Sequence, residues 1–457
     1  MFPARMEEPC DELASRAQSG PRYTSYPPAT QFRPTFGPAD AARELASLGP
    51  DPIGLYAHIP FCSQLCWYCG CNVTATRDRS RGTSYIDLLL REIDKVAGTI
   101  GRRQQVAELA LGGGSPNFLQ STDMARLIGA LRERFDFIEG AELGIELDPR
   151  DTTPLQIDDL AAMGFTRLSV GIQDFDPAVQ HAIHRVQTVA QTRAVIDRAR
   201  HRGFRSVNGD LVYGLPGQTV ERIERTLAEV INFAPDRIAV FGYAHLPHLR
   251  PHQRLVEREL AVPGLPERVE LLRVVLRMLA DAGYVRIGLD HFAKPGDPIV
   301  KAMEEGRLGR NFQGYVIQRS GVLIGLGASA ISDSGGAYWQ NHVDLPAWTE
   351  AVEAGALPVA RGVPLDDTDR LRRHVIMRLM CDGRLDFAEV EAAYHIDFRP
   401  TFARELDELE AHHADLARVD RTRGVITATA LGHHLIRNVA RVFDTYTPAG
   451  AGGSPTI

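Results

Sequence analysis

The sequence predicts an α/β fold built on a parallel sheet, and three observations lead there. Strand-like apolar runs alternate with helix-period segments six times between about residues 51 and 241. Gly164 and Gly203 stop two of those helical segments just before the next apolar run. Beyond Leu345 the alternation gives way to consecutive helical patterns, so a second domain of different character follows.

In chain order, 53–59 reads as a strand and 85–96 as a helix; 106–111 is a strand and 123–135 a helix. Strand 143–147 leads to helix 154–163, strand 167–172 to helix 189–202, and strand 206–212 to helix 220–233, with 237–243 as the sixth strand. Strand-then-helix units imply parallel pairing with right-handed crossovers. Periodicity leaves open whether the sheet is doubly wound or curls into a barrel. A further helix spans 267–282, with Val269, Leu272, Leu276 and Leu279 along one face.

The first ~50 residues lack this order, although 38–48 suits a helix. After Leu345, segments 366–380, 387–394 and 402–412 read as helices, 416–427 as a hairpin turning at Arg423-Gly424, and 431–443 as a closing helix. Helices followed by a hairpin resemble a winged-helix module. Its arginines are interleaved with acids, so a lid or packing role is expected rather than DNA binding. The tail 447–457 is rich in Gly, Pro and Ser and is expected to be disordered.

The chain has 457 residues, 44% hydrophobic and 24% charged, enough for two or three domains. With 51 basic and 58 acidic residues the net charge is −7, which gives no bulk attraction to nucleic acid or anionic membrane. The N-terminus carries no apolar run of the secretory kind, and no stretch approaches the ~18 apolar residues of a spanning helix. Clustered cysteines suit a reducing compartment, so a soluble cytoplasmic protein is expected.

Four cysteines lie within ten residues in Cys62-Ser-Gln-Leu-Cys66-Trp-Tyr-Cys69-Gly-Cys71. The first three are spaced C-x3-C-x2-C. Three thiolates can hold three irons of a 4Fe–4S cluster and leave the fourth iron open to a small molecule. A zinc site completed by Cys71, or a Cys66/Cys69 dithiol, also satisfies the count. A disulfide framework does not suit it, because Cys10 and Cys381 are remote.

Gly112-Gly113-Gly114-Ser115-Pro116 directly follows the second strand. Consecutive glycines let the backbone approach a ligand, and their N–H and C=O groups can bind an amino-acid head group. Polar residues then recur at successive strands: Glu146, Gln173 and Asp210. Desolvation makes such groups costly without a partner, and a ligand could supply one.

The cysteine spacing, with the aromatic before Cys69, resembles the radical S-adenosylmethionine (SAM) superfamily. Within it the chain is similar to the oxygen-independent coproporphyrinogen III oxidases. The likeness lies in Cys71, Pro21-Arg-Tyr-Thr-Ser-Tyr-Pro27, Tyr243-Ala-His-Leu-Pro247, Pro251-His-Gln-Arg254, Asp290-His-Phe-Ala-Lys-Pro295, Asn311-Phe-Gln-Gly-Tyr315 and Arg437-Asn-Val-Ala. It runs from about residue 21 to 446. Ser115, Asn117, Val73 and Gly242 depart from the family pattern without removing an essential chemical group.

The resemblance implies an open partial (β/α)6 TIM-like barrel at 51–345, an N-terminal extension over the active site at 1–50, and a mostly helical domain at 346–446. It implies a 4Fe–4S cluster on Cys62, Cys66 and Cys69, with Cys71 in the catalytic loop but not an iron ligand, and two SAM molecules. Tyr56, Gly113, Glu146 and Ile331 match positions contacting the first SAM. Tyr68, Gly114, Ser115, Gln173, Arg185, Asp210 and Ala244 match those contacting the second. The implied activity uses a 5′-deoxyadenosyl radical to decarboxylate two propionates of coproporphyrinogen III to vinyl groups, giving protoporphyrinogen IX. An electron-donor protein is implied as partner, and a monomer is expected. Arg22, Lys294 and Arg310 are candidates to grip the substrate carboxylates. A related haem-binding chaperone is the alternative; those relatives lack the Cys71 equivalent and the 21–27 motif.

Overall fold

The computed structural model describes residues 2–3, 5–6, 10–17, 19–317, 320–447 and 454–455. The tail expected to be disordered lies outside the described residues except for Thr447, Ser454 and Pro455. The chain divides into two compact units, one of residues 31–210 and 319–365, the other of 1–30, 211–318 and 366–457. Among the described residues no helix is long and apolar enough to cross a membrane.

The first unit contains β1 (Ile53–Ile59), α1 (Ser80–Ile100), β2 (Gln105–Gly113), α2 (Ser121–Arg134), β3 (Asp136–Leu147), α3 (Pro154–Ala162), β4 (Arg167–Gln173) and α4 (Val189–His201). β1 pairs in parallel with β2, β2 with β3, and β3 with β4. Every residue of β1 except Tyr56 is buried, as suits a largely apolar strand covered on both faces. α1 buries Tyr85, Ile86, Leu89, Ile93, Val96 and Ile100 and ends at Gly101, whose φ of +76° suits glycine. α3 and α4 each open with a capping box, Thr153 with Gln156 and Thr188 with Gln191.

The sequence reading missed the other flank of β1. There Leu323–Leu326 runs parallel to it, followed by the antiparallel strands Ile331–Asp333, Ala337–Asn341 and Val359–Pro364. Strands of three to six residues among glycines give too short a periodic signal to read. Because β1 to β4 share one direction, their C-terminal ends gather on one edge, with Ile59 opposite Gly113 and Leu147 opposite Val170. The cysteine loop, the glycine loop and the segments after β3 and β4 all leave from that edge.

The fifth strand, β5 (Ser206–Tyr213), starts in the first unit and ends in the second. In the second unit α5 (Val220–Phe233) precedes β6 (Arg237–Gly242), which pairs with antiparallel His291–Ala293, itself paired with Val285–Ile287. The C-terminal part carries helix Asp367–Asp382 and a three-stranded sheet in which Val425–Ala428 lies between Arg384–Asp386 and Ala417–Asp420.

The single helix expected over 431–443 is instead two, Ala430–His434 and Ile436–Arg441. Leu435, at φ −110° and ψ +29°, leaves helical geometry between them. The turn gives the buried side chains of the second helix partners on the N-terminal segment. Arg437 donates to the Gly20 and Pro21 carbonyls, and Asn438 to Arg16 O at 3.0 Å. Tyr23 Oη donates to Asp444 Oδ2 at 3.0 Å and holds the same segment.

Candidate active site

The cysteine loop begins where β1 ends. Phe61–Cys62 pairs with Thr74–Ala75, closing the loop at its base, and Ser115 N donates to Phe61 O at 2.8 Å. The segment after β4 clips the loop from outside: Trp67 N donates to Ile183 O at 2.9 Å, His184 Nδ1 reaches Leu65 O at 3.0 Å, and the Trp67 and His184 rings stack. Cys62, Cys66, Cys69 and Cys71 are all free thiols. Burial pushes the Cys62 thiol up to about 12, so without a metal it stays protonated at neutral pH. Cys71 N donates to Cys69 Sγ at 3.4 Å, giving this fourth cysteine a backbone role beside a sulfur.

The glycine loop is shaped by what lies against it. A Cβ on Gly113, at φ +111°, would lie 2.4 Å from the His58 ring, and one on Gly114 would lie 2.6 Å from Phe61 O. His58 is buried, and burial lowers its pKa to about 4, so the ring is neutral. Its Nε2 faces Asn72 O at 3.1 Å and must carry the proton, leaving Nδ1 to accept from Tyr56 Oη at 3.2 Å. Tyr56 lies opposite Gly325, against which the Ile331 backbone packs too closely for any Cβ. Gly113, on the β2 side, and Ile331, over the strand on the other side, thus flank β1 and its Tyr56.

Glu146 accepts from Gly113 N at 3.3 Å. Solvent reaches this side chain, yet its enclosure by protein, and then the charge of Asp210, raise its pKa to about 7. Asp210 accepts from Ser169 Oγ at 2.6 Å and from Asn208 Nδ2 at 2.7 Å. Gln173 ends β4 at φ +64°, and Gly171 leaves the space that the Gln173 amide and the Arg185 guanidinium fill. Strained backbone at a strand end beside polar groups is typical of functional sites. Ser115 Oγ lies 3.6 Å from Cys62 Sγ, and the Tyr68 phenol sits among Arg185, Cys66 and Cys69.

A family model described as the radical SAM superfamily matches residues 56–230, and one described as the HemN C-terminal domain matches 365–426. The oxygen-independent coproporphyrinogen III oxidase of Pseudomonas aeruginosa is 43% identical over 94% of both chains. That of Escherichia coli K12 is 42% identical over 94% of this chain and 93% of its own. The solved structure of coproporphyrinogen III oxidase (HemN) from Escherichia coli superposes with a TM-score of 0.89 at 40% identity, covering 93% of this chain and 97% of that one.

The chain belongs to the oxygen-independent coproporphyrinogen III oxidase family. With it come the radical SAM TIM-like fold, a 4Fe–4S cluster and SAM.

The residues of this family member fit that cluster. Among the described residues no three His, Cys, Asp or Glu side chains are drawn together tightly enough for a single ion. A four-iron cluster spreads its thiolates over its own corners and does not need such convergence. Free thiols on a clipped loop, beside glycines with no room for a Cβ, suit a bulky cluster carrying a small ligand.

Around the cysteines the sequence reading missed a network. Asp148, just after β3, accepts from Arg150 Nη2 at 2.6 Å and from Arg185 Nη1 at 2.9 Å, and both guanidinium groups reach Cys66 Sγ, at 3.4 and 3.6 Å. Desolvation alone would raise the Asp148 pKa, but Arg185 and Arg150 hold it at about 2. A charged triplet in Leu-Asp-Pro-Arg-Asp was the only available signal.

The other residues that the sequence puts forward, Ala244, Arg22, Arg310 and Lys294, lie in the second unit. The Ala244 carbonyl accepts from Gln253 Nε2 at 3.2 Å. Arg22 Nη2 donates to Gly242 O at 3.3 Å, and Arg310 Nε to Arg22 O at 3.2 Å, while Arg310 Nη1 lies 3.7 Å from Asp290. Arg437 joins them: burial, then Arg22 and Arg310, lower its pKa to about 9. Lys294 is placed differently. Its Nζ donates to Ala234 O, just past α5, at 2.7 Å, and its backbone N donates to Asp236 O. That is the start of β6, whereas Ala244 follows its other end. The structure thus brings Arg22 and Arg310 together and gives Lys294 a helix-capping position.

Proposed function

We propose that this protein catalyses the oxygen-independent decarboxylation of two propionate side chains of coproporphyrinogen III, yielding the two vinyl groups of protoporphyrinogen IX. The observation that carries the reading is the C-x3-C-x2-C loop of free thiols locked against a glycine cradle, in a chain 43% identical to a named oxidase over 94% of its length.

When bound, the cluster and SAM supply one-electron cleavage chemistry that removes a hydrogen atom from the substrate. The chain's own groups do the rest. Cys62, Cys66 and Cys69 would hold the irons. Tyr56, Gly113, Glu146 and Ile331 would orient one SAM, a cation for which the Glu146 carboxylate is a complement. Tyr68, Gly114, Ser115, Gln173, Arg185, Asp210 and Ala244 would hold a second.

The substrate carries four carboxylates, and the second unit offers guanidinium groups for them. Burial and neighbouring guanidinium groups, Arg310 among them, disfavour the charges of Arg22 and Arg437, while Asp290 favours that of Arg310; bound anions would relieve the first two. The forked geometry of arginine matches a carboxylate in two bonds. Lys294 is left out of this assignment. An electron-donor protein, a monomeric state and a cytoplasmic location complete the reading; clustered free thiols favour a reducing compartment.

The test is an anaerobic assay of iron-reconstituted protein with SAM, a strong reductant and coproporphyrinogen III, read by mass spectrometry. The tricarboxylic intermediate, protoporphyrinogen and 5′-deoxyadenosine are expected, and all disappear in Cys62→Ala. Cleavage of SAM without decarboxylation overturns the substrate assignment.

A further inference from the structure

Cys66 is the most enclosed of the three cluster cysteines, at 7% exposure, and its sulfur faces two cations. Arg150 Nη2 points at it from 3.4 Å and Arg185 Nη1 from 3.6 Å, both within hydrogen-bonding distance of a sulfur acceptor. Neither guanidinium is free to swing away. Arg150 grips Asp148 as a fork, with Nε at 3.0 and 3.1 Å from the two carboxylate oxygens and Nη2 at 2.6 Å. Arg185 shares Asp148 Oδ2 at 2.9 Å and donates to Gly171 O at 2.7 Å.

Asp148 is itself anchored. Asn117 holds its backbone at both N–H and C=O, each at 3.1 Å. Two guanidinium groups and one carboxylate leave a fixed net charge of +1 against one sulfur, in a pocket where Asp148 and Arg185 are nearly shut off from water. Low local dielectric strengthens that charge.

We infer that Arg150, held by Asp148, is a positioning residue that raises the reduction potential of the 4Fe–4S cluster through the Cys66 sulfur. On reduction the cluster takes up one electron from the reductant and becomes one unit more negative, with no bond made or broken. A fixed positive charge and N–H···S bonds favour that more negative state, and hydrogen bonds to sulfur are among the factors that set such potentials. Arg150 thereby makes the cluster easier for a donor to reduce. Arg185 adds to the same field but also matches a SAM-contacting position, so Arg150 isolates the effect.

The inference rests on the assignment of Cys62, Cys66 and Cys69 as cluster ligands. The test is a redox titration of the reconstituted full-length protein without SAM, monitored by electron paramagnetic resonance, with iron and sulfide measured on every sample. Arg150→Gln removes the cation and is expected to lower the midpoint so that the ratio of reduced to oxidised cluster at fixed potential falls about tenfold, which is about 59 mV for one electron. Asp148→Asn removes the opposing charge and is expected to raise the midpoint.

Opposite signs in the two loaded variants support the inference. An unchanged midpoint, or a shift of the wrong sign in either variant, overturns it, and each decides alone should the other fail to take up iron. Absence of iron and sulfide in the unmodified protein would instead refute the ligand assignment beneath it.

Discussion

Asn117 and Asp148 are joined in both directions. The Asn117 amide donates to Asp148 O at 3.1 Å, and Asp148 N donates back to Asn117 Oδ1 at 3.1 Å. A side chain thus copies the pairing of a neighbouring strand and ties the segment after the glycine loop to the end of β3. The amide is what this contact needs, since it offers one donor and one acceptor on the same face.

Asn117→Ala is accordingly expected to leave a buried N–H and C=O unpaired at a cost of about 2 kcal/mol, or roughly thirtyfold faster hydrogen exchange at the Asp148 amide. Exchange at the original rate would show that the pair contributes nothing.

Gly113→Ala places a methyl 2.4 Å from the His58 ring at φ +111°, so SAM affinity of the reconstituted protein is expected to fall at least tenfold, on the order of 1.4 kcal/mol. Gly101→Ala has the same backbone problem, at φ +76°, but open space around it. It is expected to cost about 1 kcal/mol of stability and leave SAM binding intact. Equal loss of binding in both variants would remove the cradle from the account.

Glu146 supplies a pH dependence. Its pKa is raised to about 7 in the folded protein, first by enclosure and then by Asp210, so below pH 7 the carboxyl is mostly neutral. A cationic ligand needs it ionised. SAM affinity is therefore expected to rise with pH up to about 7, by as much as tenfold per unit, and to level off above. Folding stability runs the opposite way: a carboxyl with a raised folded-state pKa adds stability below its unfolded value that is lost as pH climbs through 7. In Glu146→Gln, calorimetric titration across pH 5–8 should show weaker and flat SAM binding; a retained slope would assign the effect elsewhere.

The arginine group predicts a trade between stability and function. Burial first, and repulsion from Arg310 among other groups, lower the Arg22 pKa, so folding works against this charge. Arg22→Gln is expected to hold or raise the thermal midpoint by a few degrees while cutting decarboxylation at least tenfold, with SAM binding unaffected. A lower midpoint together with full activity would make Arg22 a structural cation only.

The strands and helices of the first unit were legible because each repeats a period over a long enough run. β1 falls on the segment expected of it, 53–59, and in the second unit α5 does the same at 220–233. The return strand Leu323–Leu326 was not legible, since four residues carry too little pattern, although it lies beside β1 at the heart of the sheet. The break at Leu435 was hidden for another reason: the apolar pattern continues through it, and only the N-terminal carbonyls waiting for Arg437 and Asn438 explain the turn.

By itself the sequence determined the chemistry available: three cysteines at cluster spacing, glycines after the second strand, and acids at later strands. Those are local, because spacing along the chain limits which atoms one loop can present. Only the tertiary structure decided which side chains act on one another. Arg150 and Arg185 meet Cys66 from 84 and 119 residues away, and Lys294 meets Ala234 O just past α5, from 60 residues away. Charges act through space over a few ångströms, and parallel strands with long crossovers bring distant residues to one edge, so electrostatic partners are set by the register of the sheet rather than by neighbours in the chain.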